Sequence, residues 1–335
     1  MVSMDEIKKR FESVFSEIDK VIVGQNEVIE QVLVALICNG HVYLEGYPGL
    51  AKTTLVKTIS SMMDLKFTRI QGTPDLLPSD ITGTYIIDES KGKKEFKFQP
   101  GPIFSNVVLV DEVNRATPKT HSAILEAMQE RQVTVGGSTY KLEEPFFVLA
   151  TGNPIEQEGV FKISEAQIDR FLFKINVGYP TLEEEMLLVD RFSEKGVDDI
   201  KLRKLFDGKE LIKLQELAKQ VPIANDIKKH AVELVHKTRN KKDLIEYGAS
   251  PRASLSLIAA SKARALINGR KYVSKEDINA MAFPVLRHRI ILSFEAERKN
   301  MSEDDVIKEL LKKWIYLNFG NSNFIPLATN LSIIA

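Results

Sequence analysis

The segment Gly46-Tyr47-Pro48-Gly49-Leu50-Ala51-Lys52-Thr53 restricts the fold of this chain more than any other, because it joins a short apolar run, 41–45, to a helical pattern, 52–63. A glycine-rich turn between strand and helix aims successive backbone N–H groups and the helix N-terminus at one point, as a phosphate requires. Lys52 adds a cation for the β- and γ-phosphates, and Thr53 a hydroxyl for Mg²⁺. Gly46, Pro48, Gly49, Leu50, Ala51, Lys52, Thr53 and Thr54 are therefore the candidate nucleotide-binding residues. A plain Gly-Pro turn is the alternative reading. Ala51 stands where such loops commonly have glycine. Its small side chain is tolerable if φ is negative, whereas a positive φ puts phosphate approach in doubt.

Further apolar strands, 66–70, 107–111, 146–151 and 171–177, alternate with helical patterns such as 118–130. That alternation predicts an α/β fold, a parallel β-sheet sandwiched by helices. Ahead of it, Ile7, Phe11, Val14, Phe15 and Ile18 recur at helical spacing, and a second helix runs through 28–38. Two hairpins interrupt the pattern. The first, an insert over about 84–100, has Tyr85, Ile86 and Ile87 on one arm, a Gly92 turn, and Phe96 and Phe98 on the return. The second, 132–142, turns at Gly136-Gly137. From Leu182 onward strands nearly vanish, and helices are expected at 182–192, 209–220, 224–239, 253–267 and 274–286. A chain of 335 residues suits this division: a nucleotide-binding core over 1–180, a helix and linker over 181–208, a smaller all-α domain over 209–318, and a weakly apolar tail over 319–335.

Val107-Val108-Leu109-Val110-Asp111-Glu112 reads as a buried strand ending in two carboxylates. Acids there are expensive to desolvate unless something uses them. Asp111 can order the hydration shell of Mg²⁺, and Glu112 can polarise a water for in-line attack on a γ-phosphate; a solvated strand end is the plain alternative. The strand ending at Ala150-Thr151-Gly152-Asn153 brings Asn153 toward the same sheet edge, to position that water or merely to form a turn. The 5 histidines show no ligand spacing, so no histidine metal site is expected, and the single cysteine, Cys38, leaves no internal disulfide and suits a reducing compartment.

Taken together, these segments resemble an AAA+ ATPase of the MoxR family over about residues 20–290. The resemblance is carried by Val23-Gly24-Gln25, the phosphate loop, Asp111-Glu112-Val113-Asn114-Arg115-Ala116, Leu125-Glu126-Ala127-Met128-Gln129-Glu130, Ala150-Thr151-Gly152-Asn153-Pro154, Glu165-Ala166-Gln167-Ile168-Asp169-Arg170-Phe171 and Gly248-Ala249-Ser250-Pro251-Arg252-Ala253. It implies ATP and Mg²⁺ bound between a core and an α-helical lid, with Gln25 joining the nucleotide-binding set. Asn153 is similar to the sensor-1 residue, Arg170 to the arginine finger that reaches a neighbouring subunit's γ-phosphate, and Arg252 to the sensor-2 arginine, acting in cis or in trans. Lys52, Glu112, Asn153, Arg170 and Arg252 are thus the catalytic candidates, and Thr53 and Asp111 the metal-binding ones. Alanine before the lysine is common in MoxR-like chains.

The resemblance also implies a homo-oligomer, a hexameric ring, that remodels or matures a protein client, in some cases with metal insertion and with a von Willebrand factor A domain partner. In the related MCM and chelatase branch a hairpin interrupts the second helix, where 85–99 falls. Its Lys91, Lys93, Lys94 and Lys97 beside Phe96 and Phe98 can grip a polypeptide or nucleic acid in a ring pore, or form only a solvated tip. Rival functions are a DNA-dependent motor, for which no DNA-binding domain is recognisable, and a nucleotide-bound scaffold that scarcely hydrolyses.

The charges, 46 Lys+Arg against 46 Asp+Glu, cancel, and nucleic acid is not the expected partner. The halves differ. Residues 1–180 hold 19 Lys+Arg and 24 Asp+Glu, and residues 181–335 hold 27 and 22, so an acidic core and a basic lid can meet head to tail between subunits. No apolar run approaches the roughly 18 residues of a membrane span, and residues 1–20 mix acids and bases unlike a signal peptide. No membrane insertion and a cytoplasmic location are expected.

Overall fold

Five short strands build the central sheet, here in a computed structural model that describes residues 3–88, 94–154, 161, 163–193 and 200–318. Helices α1 (Met4–Ile18) and α2 (Asn26–Ile37) come first, followed by β1 (Val42–Gly46), α3 (Lys52–Met62), β2 (Phe67–Gln71) and the short α4 (Pro78–Thr82). The first hairpin is β3 (Gly83–Asp88) with β4 (Glu95–Pro100). Next come β5 (Val107–Asp111), a 3-10 turn at Val113–Arg115 and α5 (Pro118–Glu130). The second hairpin, β6 (Gln132–Val135) with β7 (Ser138–Lys141), leads to β8 (Phe147–Gly152), α6 (Glu165–Ile168), β9 (Phe173–Val177) and α7 (Leu182–Phe192).

The sheet order is β2-β5-β8-β1-β9, and every pairing is parallel. Alternate residues of a strand face opposite sides, and they divide the core. Val42, Leu44, Val107, Leu109, Leu149 and Ile175 face α1, α2 and α3. Tyr43, Val108, Val110, Val148 and Ala150 face Ile124, Leu125 and Met128 of α5. β5 and β8 are covered on both faces, which is why they read as continuous apolar runs.

The second domain comprises α8 (Gly208–Gln220), α9 (Asn225–Asn240), β10 (Ile245–Tyr247), α10 (Pro251–Ile267), α11 (Lys275–Leu286), β11 (Ile291–Leu292), α12 (Phe294–Arg298) and α13 (Glu303–Asn318). Its apolar interior, including Leu257, Ala260 and Met281, is continuous with that of α2. The α/β core followed by a smaller, nearly all-helical domain agrees with the sequence reading; α4, α12, α13 and the two-stranded β10–β11 pairing were not anticipated. Gly136 and Gly137, with φ of 57° and 80°, supply the left-handed pair a two-residue hairpin turn needs. The expected Gly92 turn, Lys91, Lys93 and the tail 319–335 lie outside the described residues. Among the described residues, no helix is long and apolar enough to cross a membrane.

Candidate active site

Because the strands are parallel, the carboxyl ends of β1, β5 and β8 share one sheet edge. A cleft of about 410 Å³ opens there, lined by Pro48, Gly49, Leu50, Ala51, Lys52, Thr53, Thr54, Arg69, Asp111, Glu112 and Asn153. Its size is that of a small-molecule site. Gly46 contributes its carbonyl, which accepts from Lys52 Nζ at 2.6 Å and folds the lysine over its own loop. Gln25, at φ 56° just before α2, does not line this cleft.

Ala51 takes the second of the two alternatives left open by the sequence. Its φ is 54° and ψ 20°, left-handed rather than negative, and it leads straight into α3. A methyl group is small enough to occupy the position, at a strain of about 1–2 kcal/mol. The loop still frames the cleft, so positive φ does not close it.

Asp111 and Glu112 are held by neighbours on both sides. Thr151, buried on β8, donates its hydroxyl to Asp111 Oδ1 at 2.6 Å and accepts the Glu112 N–H at 2.9 Å. On β2, Arg69 donates to Asp111 Oδ2 from Nη2 at 2.6 Å and from Nε at 3.1 Å. Glu112 adopts φ 52°, which turns it out of the strand. Its Oε2 accepts from Gln71 Nε2 at 2.8 Å and lies 3.4 Å from Arg115 Nε. Gly72 allows this closeness: its N–H donates to the Asp111 carbonyl at 2.7 Å, and a Cβ there would stand 2.1 Å from the Glu112 carbonyl. The Thr53 hydroxyl and the Asp111 carboxylate are hard oxygen donors, a set suited to Mg²⁺ that keeps most of its waters.

Arg69, Gln71, Gly72 and Thr151 were not among the sequence candidates. The available signal was polar residues closing an otherwise apolar strand, but only the register, Gln71 opposite Asp111, assigns them to this site.

Arg170 and Arg252 lie elsewhere. Arg170 is exposed and precedes the amino end of β9, the sheet edge opposite the cleft, with about 16 Å of strand between. Arg252, in the first turn of α10, donates from Nη1 to Asp169 Oδ2 at 2.9 Å, beside Arg170. A hollow of about 240 Å³ is lined by both arginines together with Arg289. His41 packs at this edge. Its Nδ1 accepts the Val148 N–H at 2.9 Å and its Nε2 donates to the Met128 carbonyl at 3.0 Å. Burial, assisted by the Arg131 charge, lowers its pKa to about 3, so it is a neutral structural bridge.

Residues 41–173 match the ATPase family associated with various cellular activities (AAA), and residues 237–310 match the AAA lid domain. Chaperone MoxR1 of Mycobacterium tuberculosis is 44% identical over 304 residues, covering 88% of this chain and 79% of that protein. The uncharacterized protein YeaC of Bacillus subtilis is 42% identical, covering 88% and 91%. Protein MoxR of Paracoccus denitrificans is 30% identical, covering 85% and 89%. A crystal structure from Cytophaga hutchinsonii, assigned as an ATPase, superposes with a TM-score of 0.85 at 42% identity, covering 92% of this chain and 96% of that one.

Proposed function

The chain belongs to the MoxR family of AAA+ ATPases, and on that premise we propose that it hydrolyses ATP in a homo-oligomeric, hexameric ring that remodels or matures a protein client in the cytoplasm. The observation that carries the ATPase reading is the Asp111-Glu112 pair, tied by Thr151, Arg69 and Gln71 at the mouth of a cleft floored by the lysine loop. Backbone N–H groups of the loop and the start of α3 bind the phosphates, and Lys52 sets its cation on the β- and γ-phosphate oxygens. Glu112 takes a proton from the attacking water, and Asn153 orients that water. Thr53 and, through water, Asp111 would hold Mg²⁺, which would supply charge neutralisation at the phosphate oxygens.

The position of Arg170 and Arg252 at the opposite sheet edge supports assigning both to a neighbouring subunit's nucleotide, which makes assembly part of catalysis. A protein client is favoured because a relative covering most of this chain is named a chaperone. A von Willebrand factor A domain partner and a role in metal insertion belong to the same proposal. So does client contact by the first hairpin, where Ile87 and Phe96 pair across the strands and are 56% and 78% exposed.

The test is Glu112→Gln. It should bind fluorescent ATP with unchanged affinity and lose turnover by about 10²–10⁴-fold. Full hydrolysis by that variant would overturn the base assignment, and a rate per subunit unchanged on dilution would overturn catalysis in trans.

A further inference from the structure

Directly after α11 the lid returns to the sheet at Arg287-His288-Arg289, and all three side chains bond β9 or the segment leading into it. Arg287 Nη1 donates to the Lys174 carbonyl at 3.3 Å, and His288 Nε2 lies 3.1 Å from the Phe171 carbonyl. Arg289 does most. A guanidinium has five N–H donors, and Arg289 reaches five acceptors. Nε donates to Asp169 Oδ1 at 2.7 Å, Nη1 to the carbonyls of Leu172 at 3.0 Å and Val285 at 2.6 Å, and Nη2 to those of Asp169 at 3.2 Å and Phe171 at 2.7 Å.

The Arg289 side chain is only 2% exposed, a costly place for a charge unless its donors are used. Here three of the bonded carbonyls, those of Asp169, Phe171 and Leu172, flank Arg170 on both sides. The loop carrying the exposed Arg170 is thereby fixed by a cation from the lid. Asp169 gives its second oxygen to Arg252, so one carboxylate sets both lid arginines against the residue adjoining Arg170.

We propose that Arg289 and Asp169 are positioning residues that aim Arg170 and Arg252 at the neighbouring subunit's nucleotide. The inference rests on the reading that those two arginines act in trans. Because Arg252 and Arg289 belong to the lid and Arg170 to the core edge, a change of lid angle within one subunit is felt at the arginines presented to the next.

Mixed assemblies test this. Lys52→Ala subunits lose their own phosphate site but keep the arginines; Arg170→Ala subunits keep the site but lack the finger. Mixed in equal amounts, they should turn over ATP several-fold faster than the sum of the two alone. Arg289→Lys cannot reproduce the five-bond fork, and Asp169→Asn removes the charge from both ion pairs while leaving one amide oxygen as an acceptor. Each should lower kcat by about 10- to 100-fold, the scale of an ångström-level misplacement, with KM for ATP and fluorescent-nucleotide affinity unchanged. Each should also recover when mixed with Lys52→Ala. Recovery for Arg170→Ala but for neither positioning variant would overturn the inference and leave the trans reading intact. Recovery for none of them would refute the trans reading and the inference with it. A raised KM with unchanged kcat would equally overturn the positioning role.

Discussion

Replacing Ala51 with glycine should stabilise the protein, although glycine usually weakens a helix or its flanks. Ala51 sits at φ 54° and ψ 20°, where its Cβ crowds its own backbone. That conformation costs a residue bearing a Cβ about 1–2 kcal/mol. Glycine removes the cost from the folded state but is freer in the unfolded chain, which returns about 0.4–1 kcal/mol. The net gain is about 0.5–1 kcal/mol, and each kcal/mol moves the Tm of a unit of 150–250 residues by about 2–4 °C. Differential scanning calorimetry should therefore show Tm raised by about 1–4 °C, measured without nucleotide because bound ligand adds its own stabilisation. Gly49→Ala is the mirror experiment. Gly49 has φ 82°, and a Cβ there meets nothing within 4 Å, so its effect is conformational and should lower Tm by a similar amount. An unchanged or lower Tm for Ala51→Gly, beside a neutral Gly49→Ala, would refute the strain argument at both positions.

Two further outcomes follow from the same geometry. Gly72→Ala would set a Cβ 2.1 Å from the Glu112 carbonyl, so the loop after β2 must shift; thermal unfolding should show a loss of about 1–3 kcal/mol, and ATP turnover should fall with it. His41, with an ordinary pKa of 6.5 lowered to about 3, stays neutral in the folded protein while the unfolded chain takes up a proton; its contribution is full above pH 6.5 and is lost as pH falls toward 3. Urea unfolding between pH 7 and 4 should show a stability loss that is shallower in His41→Asn, and parallel curves would refute the assignment.

The parts of the site that were legible in the sequence are those whose chemistry is contiguous. The loop from Gly46 to Thr53 carries its own strand, turn and helix start, and Val107 to Glu112 carries both the burial of a strand and the carboxylates at its end. Arg69, Gln71 and Thr151 were not legible, because they act through strand register across β2, β5 and β8, and no single strand states its neighbour. Arg289 lies further still, 120 residues from the carboxylate it holds. α13 could have been found locally: Ser302 and Asp305 exchange N-terminal capping bonds, and Val306, Ile307 and Leu310 recur at helical spacing behind them. The sign of φ at Ala51 had no such marker, since alanine favours neither answer as glycine would.

Dividing charge by domain, with an acidic 1–180 and a basic 181–335, suggested that one subunit's lid could meet the next subunit's core. Strand direction gives a finer division. A parallel sheet has two unlike edges. In this protein the carboxyl edge bears Asp111 and Glu112 beside the phosphate loop, while the amino edge bears Arg170 with Arg252 and Arg289 against Asp169. Arg170 belongs to the acidic half by count and to the cationic edge by position, so the tally by domain misplaces it. A contact between unlike faces is heterologous, and it closes into a ring when its rotation permits. On the proposed reading, the sheet polarity that gathers the phosphate site on one edge also excludes its own Arg170 from that site. Beyond its own Arg69, each nucleotide then lacks the Arg170 guanidinium, which only a neighbour presenting the opposite edge can supply.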